Sequence, residues 1–457
     1  MLVFAAVFGL SVSALTAFIF SQSQLGAGKE VREGAFGIAE AGLEYYHWFL
    51  TQNPSDLQDG TGIEGPYVHT YDDPENGEIG SYSLEISGNT ACGQVQSVDI
   101  TSTGTSNADT RFTRTVSGRH AAPSVAEYAY IIGADVWAGA SRDITGPYHS
   151  NGGIRMDGTN NSPVTSGVTS WTCQAGTFGC ETTQTVDGVF GDGPNSVLWD
   201  YPVSTISFDD MAADFSDLKS YAQSDGIYLA PYGSTEINVS GYQTAVDGYH
   251  LIFNNDGTVD IYQVTDTSGY WGYRSGIGYT PDYHIIDAES FVERRTIPTD
   301  CSVIFAEDKV WIEGTVKGKV TVVAADLVNG SYDPDVILRD DIGYSTLTGS
   351  DGLTVLSEFG IYIPPDSPDD LSLRGIFVAQ GDRFGRPYYA DDIKTQLTIN
   401  GSIISQERVG TAWGGTESVT SGYLNRTNGY DRLQTTNPPP FTPSSTTTPQ
   451  YILWQEL

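Results

Sequence analysis

The side chains that could perform chemistry are few and widely spaced in this sequence. Six histidines are scattered along the chain, and none has metalloprotease spacing; the sequence contains neither a nucleophile elbow nor a phosphate-binding loop. Residues 254–260 (NNDGTVD) superficially resemble a calcium loop, but they lack EF-hand spacing and the terminal glutamate. A hairpin turn explains them with fewer assumptions. Residues 381–392 (GDRFGRPYYADD) combine Arg, Tyr and Asp, as the carboxylate acid–base sites of β-helix polysaccharide lyases and hydrolases do, but ion pairs within a loop are the favoured explanation.

The sequence therefore predicts no catalytic residue, no metal site and no cofactor. Its four cysteines lack metal-ligand spacing with a nearby histidine. Cys173 and Cys180 bracket a short loop and are expected to form a disulfide. By elimination Cys92 then pairs with Cys301, which would join two domains. An even cysteine count in an exported chain favours this oxidised state over four free thiols.

The net charge of -35 argues against nucleic acid as a partner, because such binding depends on Lys and Arg neutralising phosphates. An acidic surface also keeps a secreted protein soluble. The 27 tyrosines and eight tryptophans could form sugar-binding surfaces, inter-subunit contacts or ordinary core. The sequence leaves these three alternatives open.

Residues 1–20 form an apolar stretch without a charged residue, and the first charge is Lys29. About 20 apolar residues can span a bilayer as a helix. A secretory signal peptide is the alternative, but it needs a basic segment before the apolar stretch, and none is present. The sequence therefore predicts a membrane-spanning or filament-core helix.

The helical pattern continues beyond the apolar stretch. Residues 36, 39, 43, 46 and 50 are apolar at three- and four-residue steps, which indicates one face of an amphipathic helix. Asn53 and Pro54 should end it. The helix would be roughly 80 Å long at ~1.5 Å per residue, with its second half packed on a globular domain.

This arrangement resembles the long helix of type IV pilin-like proteins, most closely minor pilins and large pseudopilins. The resemblance covers about the first 120 residues and is carried by the apolar segment, the mixed-charge KEVRE (29–33) and AEAGLEYYHWF (39–49). It implies that the helix is the assembly core and that a small antiparallel sheet packs on its second half. One departure is Ala5, where pilins usually carry a glutamate that pairs with a neighbouring terminal amine. A plain membrane anchor is the alternative.

Close helix packing in such a core depends on small residues. Ala5, Ala6, Gly9, Ser13 and Ala17 recur at steps of one, three and four, which places four of them along one stripe. The predicted assembly core comprises Met1, Leu2, Val3, Phe4, Ala5, Ala6, Gly9, Ser13, Ala17 and Phe20.

The rest of the chain is predicted to be mainly β. Residues 55–80 are turn-rich, and alternating strands at 81–87, 94–104 and 110–118 indicate an antiparallel meander with one buried face. Strand-sized runs from residue 127 onward recur at irregular intervals. They favour a β-solenoid, in which each coil buries its apolar face against its neighbours, with a β-sandwich as the alternative.

Two further elements interrupt these runs. Residues 207–226 are expected to form one helix with a variant capping box, and 249–264 a hairpin. Together with the solenoid-like part, they are similar to the body of large pilin-like surface proteins of uncultivated bacteria. The tail is rich in Pro, Thr and Ser and ends in YILWQEL, which could pair with the chain itself or with a neighbouring subunit.

The predicted organisation is a helix at 1–53, a pilin-like β head at 54–122, a solenoid-like domain at 123–434 and a tail at 435–457. We predict a non-enzymatic subunit of an extracellular pilus-like filament or surface appendage. Its partners would be further copies or other pilins, the inner membrane before assembly, and cell-surface glycans. The alternatives are a tip-located or membrane-anchored adhesin and a tethered glycan-active β-helix enzyme.

Overall fold

The computed structural model describes residues 2–75, 77–232, 236–239, 242–328, 332–414 and 418–457. The chain divides into two compact units. The first comprises Met1–Thr90, Val95–Ala122 and Thr448–Leu457, and the second comprises Ala91–Gln94 and Pro123–Thr447. Both units are rich in β-structure, and the first unit also contains a long N-terminal helix.

The described residues form three α-helices and two 3₁₀ helices, the latter at Val125–Glu127 and Ser196–Leu198. The α-helices are α1 (Leu2–Gln52), α2 (Phe208–Met211) and α3 (Phe215–Ser224). The strands are, in chain order, β1 (Tyr67–Asp73), β2 (Gly77–Ala91), β3 (Gln94–Ser106), β4 (Thr113–Ala121), β5 (Tyr130–Ile132), β6 (Val136–Ala138), β7 (Arg142–Thr145), β8 (Tyr148–Ser150), β9 (Ile154–Met156), β10 (Thr159–Asn160), β11 (Val164–Ser166), β12 (Ser170–Cys173), β13 (Gln184–Asp187), β14 (Val189–Phe190), β15 (Trp199–Asp200), β16 (Ile227–Leu229), β17 (Glu236–Val239), β18 (Tyr242–Ala245), β19 (Gly248–Phe253), β20 (Thr258–Arg274), β21 (Gly278–Thr296), β22 (Val303–Ala306), β23 (Val310–Val316), β24 (Lys319–Ala324), β25 (Val336–Tyr344), β26 (Gly352–Ser357), β27 (Ile361–Tyr362), β28 (Asp370–Ala379), β29 (Phe384–Gly385), β30 (Ile393–Ser405), β31 (Ala412–Gly414), β32 (Val419–Gly429) and β33 (Gln450–Glu456).

In the first unit, the second half of α1 packs on an antiparallel sheet. Apolar residues at three- and four-residue steps along the helix are all buried to 2% exposure or less: Ala35, Ile38, Ala39, Leu43, Tyr46 and Leu50. The helix ends before Pro54 because proline lacks the backbone N–H and restricts the preceding residue. The predicted long helix and antiparallel sheet are thus confirmed.

The sheet has five strands in the order β1-β2-β3-β4-β33, two more than the sequence indicated. Strand β1 lies within residues 55–80, which the sequence analysis had interpreted only as turns. More exposed and less exposed positions alternate along this strand, and Tyr67 is buried. The polar residues of the strand prevent this alternation from being read in the sequence. Along β3 the buried positions alternate regularly and include Val98 and Ile100, as expected when one face of a sheet is covered.

The fifth strand comes from the chain terminus. Strand β33 pairs antiparallel with β4, and the Tyr451 hydroxyl donates a hydrogen bond to the Leu43 carbonyl oxygen of α1. Arg114 and Glu456 form an ion pair across the same two strands. The edge of β4 is therefore occupied by the chain's own terminus.

The second unit consists of stacked coils with parallel strands. One ladder runs through β16, β22, β24, β26, β28 and β30. A second ladder runs through β19, β23, β25, β27 and β29. Successive rungs of a ladder belong to successive turns of the chain, which is the predicted solenoid; a two-sheet sandwich is not formed by the described residues.

The stacking order departs from the chain order. Beyond β30 the first ladder continues with β5, β8, β11 and β15, so that Ile403 aligns with Tyr130. Residues that open the second unit therefore extend the stack after its C-terminal coils. Such pairings are distant in sequence and carry no local sequence signal.

Both faces of the first ladder are buried. Along β22, Ile304 and Ala306 contribute to the inner core, while Val303 and Phe305 face outward into a second cluster. That cluster includes Met211 of α2 and Leu218 of α3. Parallel strands covered on both sides are apolar at nearly every position, and β22, with the sequence VIFA, follows this rule.

The single helix predicted at 207–226 is wrong. The structure has α2 and α3 separated by residues 212–214, because the Asp214 side chain accepts hydrogen bonds from the backbone N–H groups of Ser216 and Asp217. This N-cap starts a new helix, whereas Ser207 caps the first helix through the Asp210 N–H. The predicted hairpin is present as β19–β20.

Both disulfides expected from the sequence are present, Cys173–Cys180 and Cys92–Cys301. Cys173 and Cys180 close a loop beside Trp171 in a small buried cluster. Cys92 lies in Ala91–Gln94, which belongs with Cys301 to the second unit. Cys92 itself lies in the turn between β2 and β3.

A first prediction concerns the contact between α1 and β3. At Gly104 an added Cβ would overlap the backbone of Ala35 and Ala39. That backbone can move only if α1 shifts away from the sheet. We expect Gly104→Ala to destabilise the first unit by at least about 2 kcal/mol, measured by denaturant unfolding. The matched control is Gly37→Ala, which meets nothing within 4 Å and should be neutral or stabilising by about 0.5–1 kcal/mol. Equal effects of the two changes would contradict close packing at Gly104.

A second prediction concerns His120 of β4, whose ring lies 4.9 Å from that of His47. Burial, and then the neighbouring His47, lower the pKa of His120 to about 4, below its unfolded value of about 6.5. The unfolded chain therefore binds more protons between these values. The contribution of neutral His120 to the free energy of unfolding is fully present above about pH 6.5. As the pH drops from 6.5 toward 4, the free energy of unfolding falls by up to about 3 kcal/mol.

Hydrogen exchange of the β4 and β33 amides at pH 7.5 and pH 4.5 measures this loss of protection. His120→Phe serves as the control, because it retains an aromatic ring but cannot be protonated. We expect the variant to lose less protection on acidification. An equal loss in both proteins would exclude His120 as the titrating group.

Candidate functional site

The first half of α1 is an exposed apolar surface. From Val3 to Leu25 its large side chains are between 46% and 86% accessible: Val3, Phe4, Val7, Phe8, Leu10, Val12, Leu15, Phe18, Ile19, Phe20 and Leu25. The second half of the same helix is packed on the sheet, with Arg32 lying 5.0 Å from the Phe112 ring. One continuous helix thus presents two different environments.

Within residues 3–20 of this surface, the side-chain hydroxyls are hydrogen-bonded within the helix. Ser11, Ser13 and Thr16 each donate a hydroxyl hydrogen bond to the carbonyl oxygen four residues earlier, at 2.8–2.9 Å. The first charged side chain is Lys29. Because residues 3–20 contain no charge and their hydroxyls are hydrogen-bonded, this part of the surface can be buried against apolar groups with little desolvation penalty for side chains.

The structure places the predicted assembly residues as follows. Val3, Phe4 and Phe20 are strongly exposed, and so are Gly9, Ser13 and Ala17. No atom lies within 4 Å of the position that a Cβ on Gly9 would occupy. Met1 lies outside the described residues, and so do the side chains of Leu2, Ala5 and Ala6.

The sequence analysis predicted a membrane span in this region. Among the residues that the structure describes, no helix is long and apolar enough to cross a membrane.

The candidate calcium loop is a hairpin turn. One Asp256 carboxylate oxygen accepts hydrogen bonds from the backbone N–H and the hydroxyl of Thr258. Asp260 forms a two-bond ion pair with Arg294 on β21. Both carboxylates are thus engaged within the ribbon. In the described ranges no group of three or more His, Cys, Asp or Glu side chains could hold a metal ion.

The loop at 381–392 contains ion pairs. Arg383 contacts Asp382 at 3.1 Å, and the buried Arg386 pairs with Asp392. Arg386 also lies 4.9 Å from the ring of Tyr389. These contacts match the explanation of this segment as a loop that is held in place by its own ion pairs.

The sequence analysis missed a buried polar network beneath the β20–β21 ribbon. Arg274 forms an ion pair of 2.7 Å with Asp282, and both are about 3% exposed. Tyr389 donates a hydrogen bond to Asp282. Burial raises the pKa of Asp282, while the nearby Arg274 guanidinium opposes that rise. The only sequence signal was that Arg274 and Asp282 flank a glycine-rich turn.

Lys309 extends this network and is fully buried. Its ammonium donates to the Thr244 hydroxyl and to the carbonyl oxygens of Ala245 and Tyr283, at 2.6–3.2 Å. Burial lowers the pKa of Lys309 to about 8. Three well-placed acceptors explain how this charge is accommodated, and they assign it to holding β18 and β21 in place.

Comparison with known proteins yields little. No protein-family model matches the chain, and no curated protein matches it. A solved structure, the competence-associated pilin ComZ from Thermus thermophilus, is similar at 14% sequence identity with a TM-score of 0.33. The match covers 93% of this chain and 97% of that chain.

A third prediction follows from the exposed surface. A protein lacking residues 1–25 would lose all eleven exposed apolar side chains while keeping the packed half of α1. We expect it to be monodisperse and monomeric by light scattering, whereas the full chain associates, because exposed apolar surfaces of this size drive association. Loss of folded structure by circular dichroism would show that the segment also supports the fold. Continued association of the shortened protein would place the assembly surface elsewhere.

Proposed function

We propose that this chain is a structural subunit of an extracellular filament of the pilin type, assembled through the first half of α1. The observation that carries the proposal is the uncharged helical surface from Val3 to Leu25, which is left exposed beside a well-packed second half. Burying a single Leu or Phe side chain stabilises by about 1.5–3 kcal/mol. Eleven such side chains provide on the order of 20 kcal/mol before the entropic cost of association.

Other copies of the same helix are the occupant that we propose for this surface. Gly9, Ser13 and Ala17 are spaced four residues apart and lie along one stripe of the helix. Small side chains allow two helix backbones to approach closely, and flanking residues such as Phe8 and Leu10 would then interdigitate. The sequence resemblance to pilins supports this arrangement, with the β-rich units displayed on the outside.

A tip-located adhesin is the second candidate function, and it is favoured by the large aromatic side chains exposed on the second unit, such as Trp271 and Tyr279. Electron microscopy of the native material separates the two candidates. A structural subunit would give a filament with a repeating head along its length. A tip adhesin would give a single head at one end.

A fourth prediction tests the stripe. Gly9→Leu should reduce the sedimentable polymer at least about tenfold, because a large side chain prevents close helix approach. The β-rich units should remain folded, since an added Cβ at Gly9 meets nothing within 4 Å. The amount of polymer is measured by sedimentation and microscopy.

Gly26→Leu is the matched control. Gly26 lies on the same helix and is equally open, but 17 residues from Gly9 it falls about 100° away from the stripe at ~3.6 residues per turn. We expect it to assemble normally. Normal polymer from Gly9→Leu would show that this stripe does not carry assembly, and the outer β-rich units would then be the leading candidates.

A further inference from the structure

The tip of the β20–β21 ribbon is fixed to the coils of the second unit. Tyr273 and Tyr388 exchange two backbone hydrogen bonds, at 2.9 and 3.0 Å, and the Arg383 guanidinium donates to the Ser275 carbonyl oxygen at 3.0 Å. The Trp413 indole N–H donates to the carbonyl oxygen of Arg386. The ribbon tip and the neighbouring loops therefore form one continuous surface.

Aromatic side chains are concentrated on this surface. Ring centroids lie 5.2–6.4 Å apart in the chain of contacts Tyr279–Tyr273–Trp413–Tyr388–Tyr279. Trp271 precedes Tyr273 by two residues on β20, so both side chains lie on the same face of the ribbon. Trp271 is 65% and Tyr279 is 62% exposed. We call these five residues the aromatic platform. Large aromatic rings left in water on a rigid surface are typical of binding sites.

A polar cavity of about 520 Å³ adjoins the platform. Residues 275–277 of the ribbon turn form one side of it, directly between Tyr273 and Tyr279 in sequence. The remaining lining includes the charged side chains Asp135, Asp382, Arg383, Glu407 and Arg408. Small-molecule sites measure roughly 300–1,000 Å³, so this cavity has the size of a ligand site.

Two of these charged groups remain available to a ligand. The Arg408 guanidinium lies 5.0 Å from the Phe178 ring. In the described part of the chain neither its side chain nor that of Glu407 makes a hydrogen bond within the protein. Burial, and then the nearby Arg383, lower the pKa of Arg408, while the carboxylates of Glu407 and Asp135 oppose this shift.

The geometry points to a binding site for a neutral pyranose oligosaccharide on the aromatic platform and in the adjoining cavity. A pyranose ring has apolar C–H faces, which pack on aromatic rings, and a rim of hydroxyls. Guanidinium and carboxylate groups side by side can donate to and accept from neighbouring hydroxyls at once. This inference goes beyond the proposed filament role and does not depend on it.

Charge favours a neutral ligand over an acidic one. The cavity carries three carboxylates and two guanidinium groups, and the protein as a whole has a net charge of -35. A polyanionic glycan would be repelled over its whole length. A neutral glycan would only exchange water for the fixed polar groups of the cavity.

The fifth prediction tests the site with full-length protein. Cellohexaose and chitohexaose are titrated separately, and binding is followed by tryptophan fluorescence and calorimetry. We expect saturable binding of at least one of them with a Kd below about 1 mM. Trp271→Ala and Arg408→Gln should each weaken it at least about tenfold, because a few central aromatic and arginine side chains carry most of the affinity of an interface.

Trp48→Ala is the matched control, since Trp48 is 60% exposed on α1 and belongs to the first unit; its binding should be unchanged. Near-ultraviolet circular dichroism checks that each variant is folded. Failure of both probes to bind, binding only of acidic polygalacturonate, or unaltered binding by both site variants would each overturn the proposal. Polymer yield is recorded in parallel. Loss of polymer by Trp271→Ala without loss of sugar binding would assign the platform to contacts between subunits instead.

Discussion

The second unit depends on one constraint, the pairing of backbone groups between adjacent coils. A buried peptide N–H or C=O needs a partner, and in this unit the partners belong to the coil before or after. Each coil therefore needs an adjacent coil to complete its backbone hydrogen bonds. Strand β30 therefore continues into β5, although the two strands are far apart in the chain. The second ladder is narrowest at β27 and β29, which are two residues long each.

Local patterns determined what could be predicted from the sequence. The buried face of α1 and its end before Pro54 follow from periodicity and proline chemistry, and both agree with the structure. The coils could be predicted because strand-sized apolar runs recur along the second unit without a helical period. Strand β1 was not recognised because its exposed positions are Val68, Thr70 and Asp72, so that apolar and polar residues do not alternate along it. The break at 212–214 arises from a single side chain, that of Asp214, within an apolar pattern that continues across it.

Non-local features could not be predicted in the same way. The pairing of Ile403 with Tyr130 has no counterpart in the residues around either position. The tyrosines and tryptophans were visible in the sequence, but their role depended on which of them the fold leaves exposed. The aromatic platform joins Trp413 to Tyr273 across 140 residues of chain. The adjoining cavity could not be predicted from the sequence. The ion pairs expected within residues 381–392 hold that loop in place, but they do not indicate that the loop lines a cavity.

The buried ion pair beneath the ribbon explains how that surface is kept in place. Much of β21 from residue 287 onward is exposed, so apolar burial alone cannot hold the β20–β21 ribbon on the coils. Arg274 packs 4.3 Å from the ring of Tyr362, and Asp282 receives the Tyr389 hydroxyl. A buried pair of this kind adds little net stability, yet it is costly to break because either charge left alone would be buried without compensation. The ion pair therefore raises the free energy of displaced positions of the ribbon by more than it adds to the net stability of the folded state. That is the property a surface needs if its aromatic rings and polar groups are to meet a ligand in a fixed arrangement.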